Sequence, residues 1–557
     1  MLKLTVCALA LLATTGFALA QQVPAGGGGG QLQQIPRPPV LEKSIPEIRN
    51  QAREPEQIQN IFGDKILVKS LHVSGARIFT EAELIAAAHF KPNSELDLAA
   101  LRKLVSGITE YYNKRGYFVA QAYLPAQEIK DGAVTIAVIE GRYGKVSLNN
   151  KSRLSNRVAH NEIDDLKPGD AVAIAPLERR ILLLSDMPGV GVKSTVTPGG
   201  SVGTSDLIVD LTPEHLVTGD VEGDNAGNRY TGEYRLGGAV NLNDLAGLGD
   251  VLTLRGVTSF SGLNYVRASY QVHVYDATVG AAYAHMDYRL GREFAPLKAT
   301  GTADIGSVYS SYPLIRSHNS DLYAILDFDA KDLNDKVGVT FTSADRRVAV
   351  LNLGLTGDEH DRIGGGGWTF YSANWARGDI HIRTPAVLVI DRATAMTSGQ
   401  YDKIVVEAAR LQNIFGPLSA YVAFRGQVSS KNLDLSEKME LGGAYGVRAY
   451  AEGESYGDKG YVLNAEARLQ LPKLWKRMPG QMQLVGFVDI GSVTLYERPW
   501  VTGPNNRTLS GAGVGLTWSD FNNFSLKASY AGKLGNAVAT SGPDRPGRFW
   551  IQITKFF

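Results

Sequence analysis

Cysteine is all but missing from this 557-residue chain, the single one being Cys7. A disulfide framework and a Cys-rich metal site are both excluded. Histidine is scarce, nine in all and scattered. No His-Glu-x-x-His pair and no Gly-x-Ser-x-Gly elbow occurs, so no catalytic constellation presents itself and no metal or cofactor is expected. Neither sign of charge is in excess: Lys and Arg total 57, Asp and Glu 56. That balance gives no argument for nucleic acid or for an acidic substrate. Beyond residue 20 no stretch is apolar enough to cross a membrane as a helix, so any crossing has to be made by strands.

The 61 glycines and 24 tyrosines suit many tight turns and interfacial aromatics. Residues 1–20 read as a signal peptide: Lys3 in the n-region, an apolar run from Leu4 to Phe17, and Ala18-Leu19-Ala20 at the cleavage site. Cys7 lies in this leader, so the exported chain is expected to lack cysteine. Residues 21–64 read as a Gly/Pro-rich linker, with Gly26–Gly30 followed by Pro36, Pro38 and Pro39. No Gly-Lys-Ser/Thr follows the glycines, which excludes a phosphate loop. A short helix, interrupted at Pro46 and Pro55, is a possibility within Leu41–Gln59.

A compact α/β pattern follows. Ile66–Gly75 alternates as a strand, Thr80 caps a short helix, and Leu98, Leu101, Leu104, Ile108 and Tyr112 mark one face of a longer helix to Arg115. Strands are expected at Ala120–Leu124 and Ala133–Glu140. The order β-α-α-β-β then repeats: Lys145–Asn149, Asn156–Asp165, Ala175–Leu184, Gly191–Thr197 and Asp206–Leu211. The domains are placed at 65–142 and 143–214, with the remainder at 215–557.

From His215 onward the period is two. Val266, Ala268, Tyr270, Val272 and Val274 point one way, Arg267, Ser269, Gln271 and His273 the other. Leu463, Ala465, Ala467 and Leu469 alternate likewise with Asn464, Glu466, Arg468 and Gln470. About sixteen such segments, apolar outside and polar inside, predict an antiparallel transmembrane β-barrel. A soluble sandwich also alternates, but the leader and the terminal strand favour the barrel. With both ends periplasmic, the long connections near 381–400, 430–459 and 495–507 all fall outside.

Within 430–459, the stretch Leu441–Tyr461 is rich in Gly and Tyr and carries the single arginine Arg448. It reads either as an exposed hairpin or as a loop folded into the lumen. On the strand from Gln481, residues Gln483, Val485, Phe487 and Asp489 share the lumenal face. Asp489 therefore faces the lumen, where Arg448 of the loop and Arg468 of the wall are its two candidate partners. In a wet lumen such a pair contributes about 1 kcal/mol. Glu466 and Arg468 are the further polar lumen residues. Asp358-Glu359-His360-Asp361 has ligand chemistry, but consecutive ligands converge poorly on one ion.

Several of these motifs together resemble the two-partner secretion outer-membrane transporters of the haemolysin secretion/activation type. Gly116-Tyr117, Leu124-Pro125-Ala126-Gln127 and Glu140-Gly141 resemble the first polypeptide-transport-associated (POTRA) domain of that family. Val447-Arg448-Ala449-Tyr450 resembles its sixth-loop Val-Arg-Gly-Tyr/Phe motif, Phe487-Val488-Asp489 its Phe-x-Asp motif on strand 13, and Asp224-Asn225-Ala226-Gly227 its first-hairpin motif. Ala449 replaces the usual glycine, a strain if the position has φ > 0. Phe557 on an alternating last strand resembles the barrel-assembly signal, although Lys555 departs from it.

The resemblance implies a non-enzymatic transporter, expected to be monomeric, in which an N-terminal helix often plugs the barrel. Gly26–Gly30 and the prolines weaken that carry-over here, leaving Leu41–Gln59 as a shortened plug or no plug at all. Such a transporter would export one large β-rich partner across the outer membrane without ATP, its POTRA domains in the periplasm recognising the partner's N-terminal secretion domain. Gly116, Tyr117, Leu124, Pro125 and Gln127 become partner-recognition candidates, by strand addition near Ala120–Leu124. Outer-membrane lipid and the barrel-assembly machinery are the other implied partners. A barrel-assembly factor, a barrel enzyme and a passive porin are the rivals.

Overall fold

The computed structural model describes residues 28–36, 46, 48–51 and 65–557. The leader at 1–20 and most of the 21–64 segment lie outside the described residues. In the first α/β unit the expected strand splits at Lys69 into Ile66–Val68 and Ser70–Ser74, because the Lys69 and Ser70 amides both turn to the Gly132 carbonyl. Thr80 closes a capping box with Glu83 over the helix Glu81–Ala87, and Asp97 caps Leu98–Lys114. Leu101, Ile108 and Tyr112 of that helix pack on Val134, Ile136 and Val138 of the central strand Ala133–Ile139. Glu140 is buried, yet its carboxylate accepts the Arg77 and Ile78 amides at 2.6 Å each and the Tyr112 hydroxyl at 3.0 Å. Its partners satisfy the charge that burial would otherwise penalise.

The second unit follows without a linker. It comprises Arg142–Asn150, the helices Asn156–Ile163 and Ile174–Asp186, and the strands Val190–Pro198 and Thr204–Pro213. Its sheet gains a fourth strand, Ile48–Asn50, parallel to Val190–Pro198. In place of the short helix expected within 41–59, residues Ile48–Asn50 form a strand, because the open edge of Val190–Pro198 supplies their backbone pairing.

Helix Ile174–Asp186 rests on the periplasmic turns of the barrel. Arg179 and Arg180 both donate to Asp276, at 2.9 and 2.7 Å, and Arg316 returns two bonds to Asp186.

The barrel is closed by sixteen antiparallel strands, from Val217–Asp224 to Gly547–Phe556, with the first and last paired. Val266, Tyr270 and Val274 face outward, and so do Leu484, Val488 and Ile490 on the thirteenth strand, Gln481–Thr494. Trp475, Trp518 and Phe524 interlock at the periplasmic rim, an aromatic belt of the kind found at membrane interfaces. The connections 383–398, 430–458 and 495–505 lie on the rim opposite the α/β units.

The glycine run departs from linker behaviour. Gly28–Gln33 forms a single helical stretch lodged in the lumen. Gly29 passes so near the barrel's inner loop that a Cβ there would stand 2.5 Å from the Ser436 amide nitrogen. Side-chain-free residues are what allow this approach.

Candidate functional site

The lumenal site is assembled from the eleventh-to-twelfth connection, loop six (430–458), and the facing walls of strands Lys459–Leu471 and Gln481–Thr494. Loop six is folded inward. A 3₁₀ turn at Leu435–Glu437 and a two-residue strand pair, Met439–Glu440 with Tyr456–Gly457, hold its base, while Leu441, Val447, Ala449 and Tyr450 are buried. Gly443 and Gly453, at φ 91° and 76°, make the two reversals. Ala449 is not among the positive-φ residues, so its methyl carries no backbone strain. It fits because the wall residue it faces is Gly511, where any side chain would collide with it.

Arg448 sits at the inner tip. Its Nε and Nη2 donate to Asp489 Oδ2 and Oδ1 at 2.9 and 2.7 Å, a bidentate pair, and its own backbone amide adds a third bond of 3.1 Å to Oδ2. Nη1 reaches Glu466 Oε1 at 2.8 Å. The guanidinium lies over the Phe487 ring, 3.5 Å from its centroid. Asn464 Nδ2 bridges Asp489 Oδ1 and the Gly446 carbonyl, at 2.7 and 3.0 Å. Arg468 turns to Glu466 Oε2 at 2.8 Å and covers Tyr421. Asp489 is 0% exposed. The wet-lumen figure of about 1 kcal/mol therefore understates the site: breaking one partner from a buried pair costs about 3–5 kcal/mol.

Tyr450 of the loop motif donates to Ala537 O at 3.0 Å, and one group outside the sequence-based expectations, Trp550 of the last strand, donates its indole N–H to the Arg448 carbonyl at 2.7 Å. The lumenal helix adjoins the base of loop six. Gln33 Nε2 donates to Leu435 O at 2.9 Å, Gln34 Nε2 to the Tyr456 hydroxyl at 2.6 Å, and Thr231 to Gln31 at 2.9 Å. Arg235 and Arg255, anchored on Asp224 and Glu222, donate to the carbonyls of Gln34 and Pro36 at the end of this segment. An inward Trp on the last strand was visible in the alternation of 548–556; the glutamines gave no pattern.

The recognition candidates in the first α/β unit serve its own architecture. Gly116, φ 88°, ends helix Leu98–Lys114 and accepts the Ile174 amide of the next unit at 2.8 Å. Tyr117 joins Phe79 and Tyr112 in an edge-to-face cluster, and Leu124 packs on the core. Pro125 is half-buried, and its carbonyl accepts Gln127 Nε2 at 3.3 Å. The Gln127 carboxamide exchanges two bonds of 2.7 Å with the Thr135 backbone, as a neighbouring strand would. The exposed groups nearby are Leu67 and Tyr123.

Phe557 exchanges two backbone hydrogen bonds with Gly219, sealing the periplasmic end of the barrel seam, while the Lys555 ammonium donates to the side-chain Oδ1 of Asn523 in the adjacent turn. The acidic run at 358–361 ends a strand, and its members diverge: Asp361 holds Arg410, and Asp358 accepts the Trp368 indole.

Known proteins share this plan. The chain is 27% identical over 567 residues to the heme/hemopexin transporter protein HuxB of Haemophilus influenzae, covering 99% of this chain and 98% of that one. It is 23% identical to the outer membrane transporter CdiB of Dickeya dadantii, over 85% and 84% of the two chains. The solved structure of CdiB from Escherichia coli superposes with a TM-score of 0.70 at 21% identity, covering 90% and 93%. Residues 66–141 match the ShlB-type POTRA domain. Residues 203–518, more than half of the chain, match the haemolysin secretion/activation protein model, and the protein therefore belongs to the ShlB/FhaC/HecB family of two-partner secretion transporters of the outer membrane.

Proposed function

We propose that this transporter takes up one large β-rich partner by the partner's N-terminal secretion domain, at the first POTRA domain, and passes it through a lumen from which residues 28–36 withdraw while loop six stays tethered. The inward loop held by Arg448 on Asp489 and Glu466 carries this reading, because it leaves a wall-anchored element beside the path. The proposed receiving edge is the strand Gln121–Tyr123 beside helix Leu98–Lys114. Its middle outward amide, that of Ala122, donates to Thr109 Oγ1 at 3.0 Å, so an extended partner strand has one side-chain bond to displace. Outer-membrane lipid contacts the outward apolar face, and the assembly machinery reads the last strand ending in Phe557. The energy for export comes from the partner's folding outside.

The test is a pull-down of the protein by the partner's N-terminal domain. The full chain is retained, and a chain lacking residues 65–214 with a heat-modifiable barrel is lost. Equal retention of both refutes the reading.

A further inference from the structure

The seam between the first and last strands is the shortest ladder around its neighbourhood. Five register pairs join Asp220–Asp224 to Gln552–Phe556, against eight between strands one and two and nine between fifteen and sixteen. At its extracellular end the backbone of the first strand peels away: the Gly227 amide donates to Glu233 O at 2.9 Å, inside its own hairpin. The ladder nevertheless continues. Asn225 N donates to Ile551 O at 3.2 Å, Ile551 N donates to Asn225 Oδ1 at 2.8 Å, and Asn225 Nδ2 donates to Phe549 O at 2.9 Å.

By the register Asp224↔Gln552, residue 225 pairs with 551 and residue 227 with 549. In a regular antiparallel ladder Ile551 N would bond the backbone carbonyl of residue 225, and Phe549 O would receive the amide of residue 227. The Asn225 carboxamide supplies the acceptor of the first and the donor of the second. One side chain thus stands in for a peptide group that the turning backbone has withdrawn. Aspartate, serine or glutamine offers no equivalent, since the role needs a carbonyl and an N–H₂ at the reach of one methylene.

The two residues it grips, Phe549 and Ile551, flank Trp550, whose indole holds the Arg448 carbonyl. We propose that Asn225 is a positioning residue for transport: its carboxamide closes the extracellular end of the barrel seam and thereby holds Trp550 against the tip of loop six.

The test is hydrogen exchange, followed by mass spectrometry on the full chain in lipid nanodiscs. N225A is expected to speed exchange in the peptide containing Ile551 by about tenfold, the scale of a lost pair of hydrogen bonds, with the ladder between strands eight and nine unchanged. N225D keeps an oxygen for the Ile551 amide and is expected to fall between wild type and N225A. Trp550 fluorescence, taken as the difference from W550F, is expected to change in N225A and to change less in N225D. Exchange in N225A within twofold of wild type, equal effects of N225A and N225D, or an unchanged Trp550 signal in N225A each overturns the proposal.

Discussion

Replacing Arg448 with alanine removes the one cation that two lumenal carboxylates share. Asp489, 0% exposed, keeps only the Asn464 amide and the backbone N–H of residue 448, and Glu466 keeps Arg468. If the pair behaved as a surface salt bridge, its loss would cost under about 1 kcal/mol and shift loop six by less than about tenfold in population. A buried, bidentate pair costs about 3–5 kcal/mol to break, which is about two to three and a half orders of magnitude in the ratio of docked to released loop. The two cases separate cleanly by experiment. Ala449, 1% exposed beside Arg448, is changed to cysteine, and its labelling by a membrane-impermeant maleimide is timed in intact cells. R448A is expected to accelerate labelling at least hundredfold and to abolish secretion, in a barrel that remains heat-modifiable. E466Q, which leaves the bidentate contact intact, should accelerate it far less. Labelling of R448A/A449C within tenfold of A449C, or normal secretion by R448A, refutes the reasoning.

Gln127→Ala deletes both bonds to the Thr135 backbone and leaves that strand position open; the first POTRA domain should lose about 1–3 kcal/mol, read as faster exchange across 133–139 in the full chain. Burial, with repulsion from Asp276, pushes the Glu162 carboxyl up to about 7 despite Arg180 nearby. Its charged form is the one disfavoured by folding, so the Glu162 contribution to the stability of the second α/β unit is fully present below the unfolded carboxyl value of 4.5 and is lost as pH rises to about 7, with the full cost standing above that. E162Q should flatten this window, measured by exchange in helix Asn156–Ile163 at about pH 5 and about pH 8. Persistence of the same slope in E162Q excludes Glu162 as its source.

Most of the scaffold was legible because it rests on local rules. Period-two alternation exposed the barrel strands, Thr80 announced its helix through capping chemistry, and the spacing of Leu98 to Tyr112 announced the next. Arg448 and Asp489 were legible for a different reason. The resemblance paired them, and the alternation of 481–490 turned Asp489 inward. What escaped was whatever depends on long-range closure. Gly28–Gln33 carries no periodicity, and its packing at Gly29 against Ser436, about four hundred residues away, is a contact that no local rule announces. Ile48–Asn50 is a strand only because Val190–Pro198 offers it an edge. The burial of Asp489 follows from loop six folding back onto the strand Gln481–Thr494, which no stretch of sequence encodes by itself. The motif Gly116–Gln127 was visible as a pattern, yet its atoms are spent on a helix stop, an aromatic cluster and a strand mimic.

The two elements filling the lumen differ in what they leave behind on departure, and that difference sets their order. When residues 28–36 withdraw, Arg235 and Arg255 remain paired with Asp224 and Glu222, and the glutamines release the Leu435 carbonyl, the Tyr456 hydroxyl and a 3.4 Å contact to the Glu440 carboxyl, groups that entering water can satisfy. The net loss is about 1 kcal/mol per hydrogen bond, with Leu32 and Ile35 giving up their packing besides. When loop six withdraws, Asp489 is left buried without its cation. The lumenal segment should therefore leave first, and a pore should open with loop six still docked. Gly29→Val drives a side chain into the Ser436 backbone and should raise the open fraction in planar-bilayer recordings, while A449C in the same chain stays as slow to label as in the parent. Labelling that rises in step with the openings would show the two elements moving as one, and the charge argument for their order would fall.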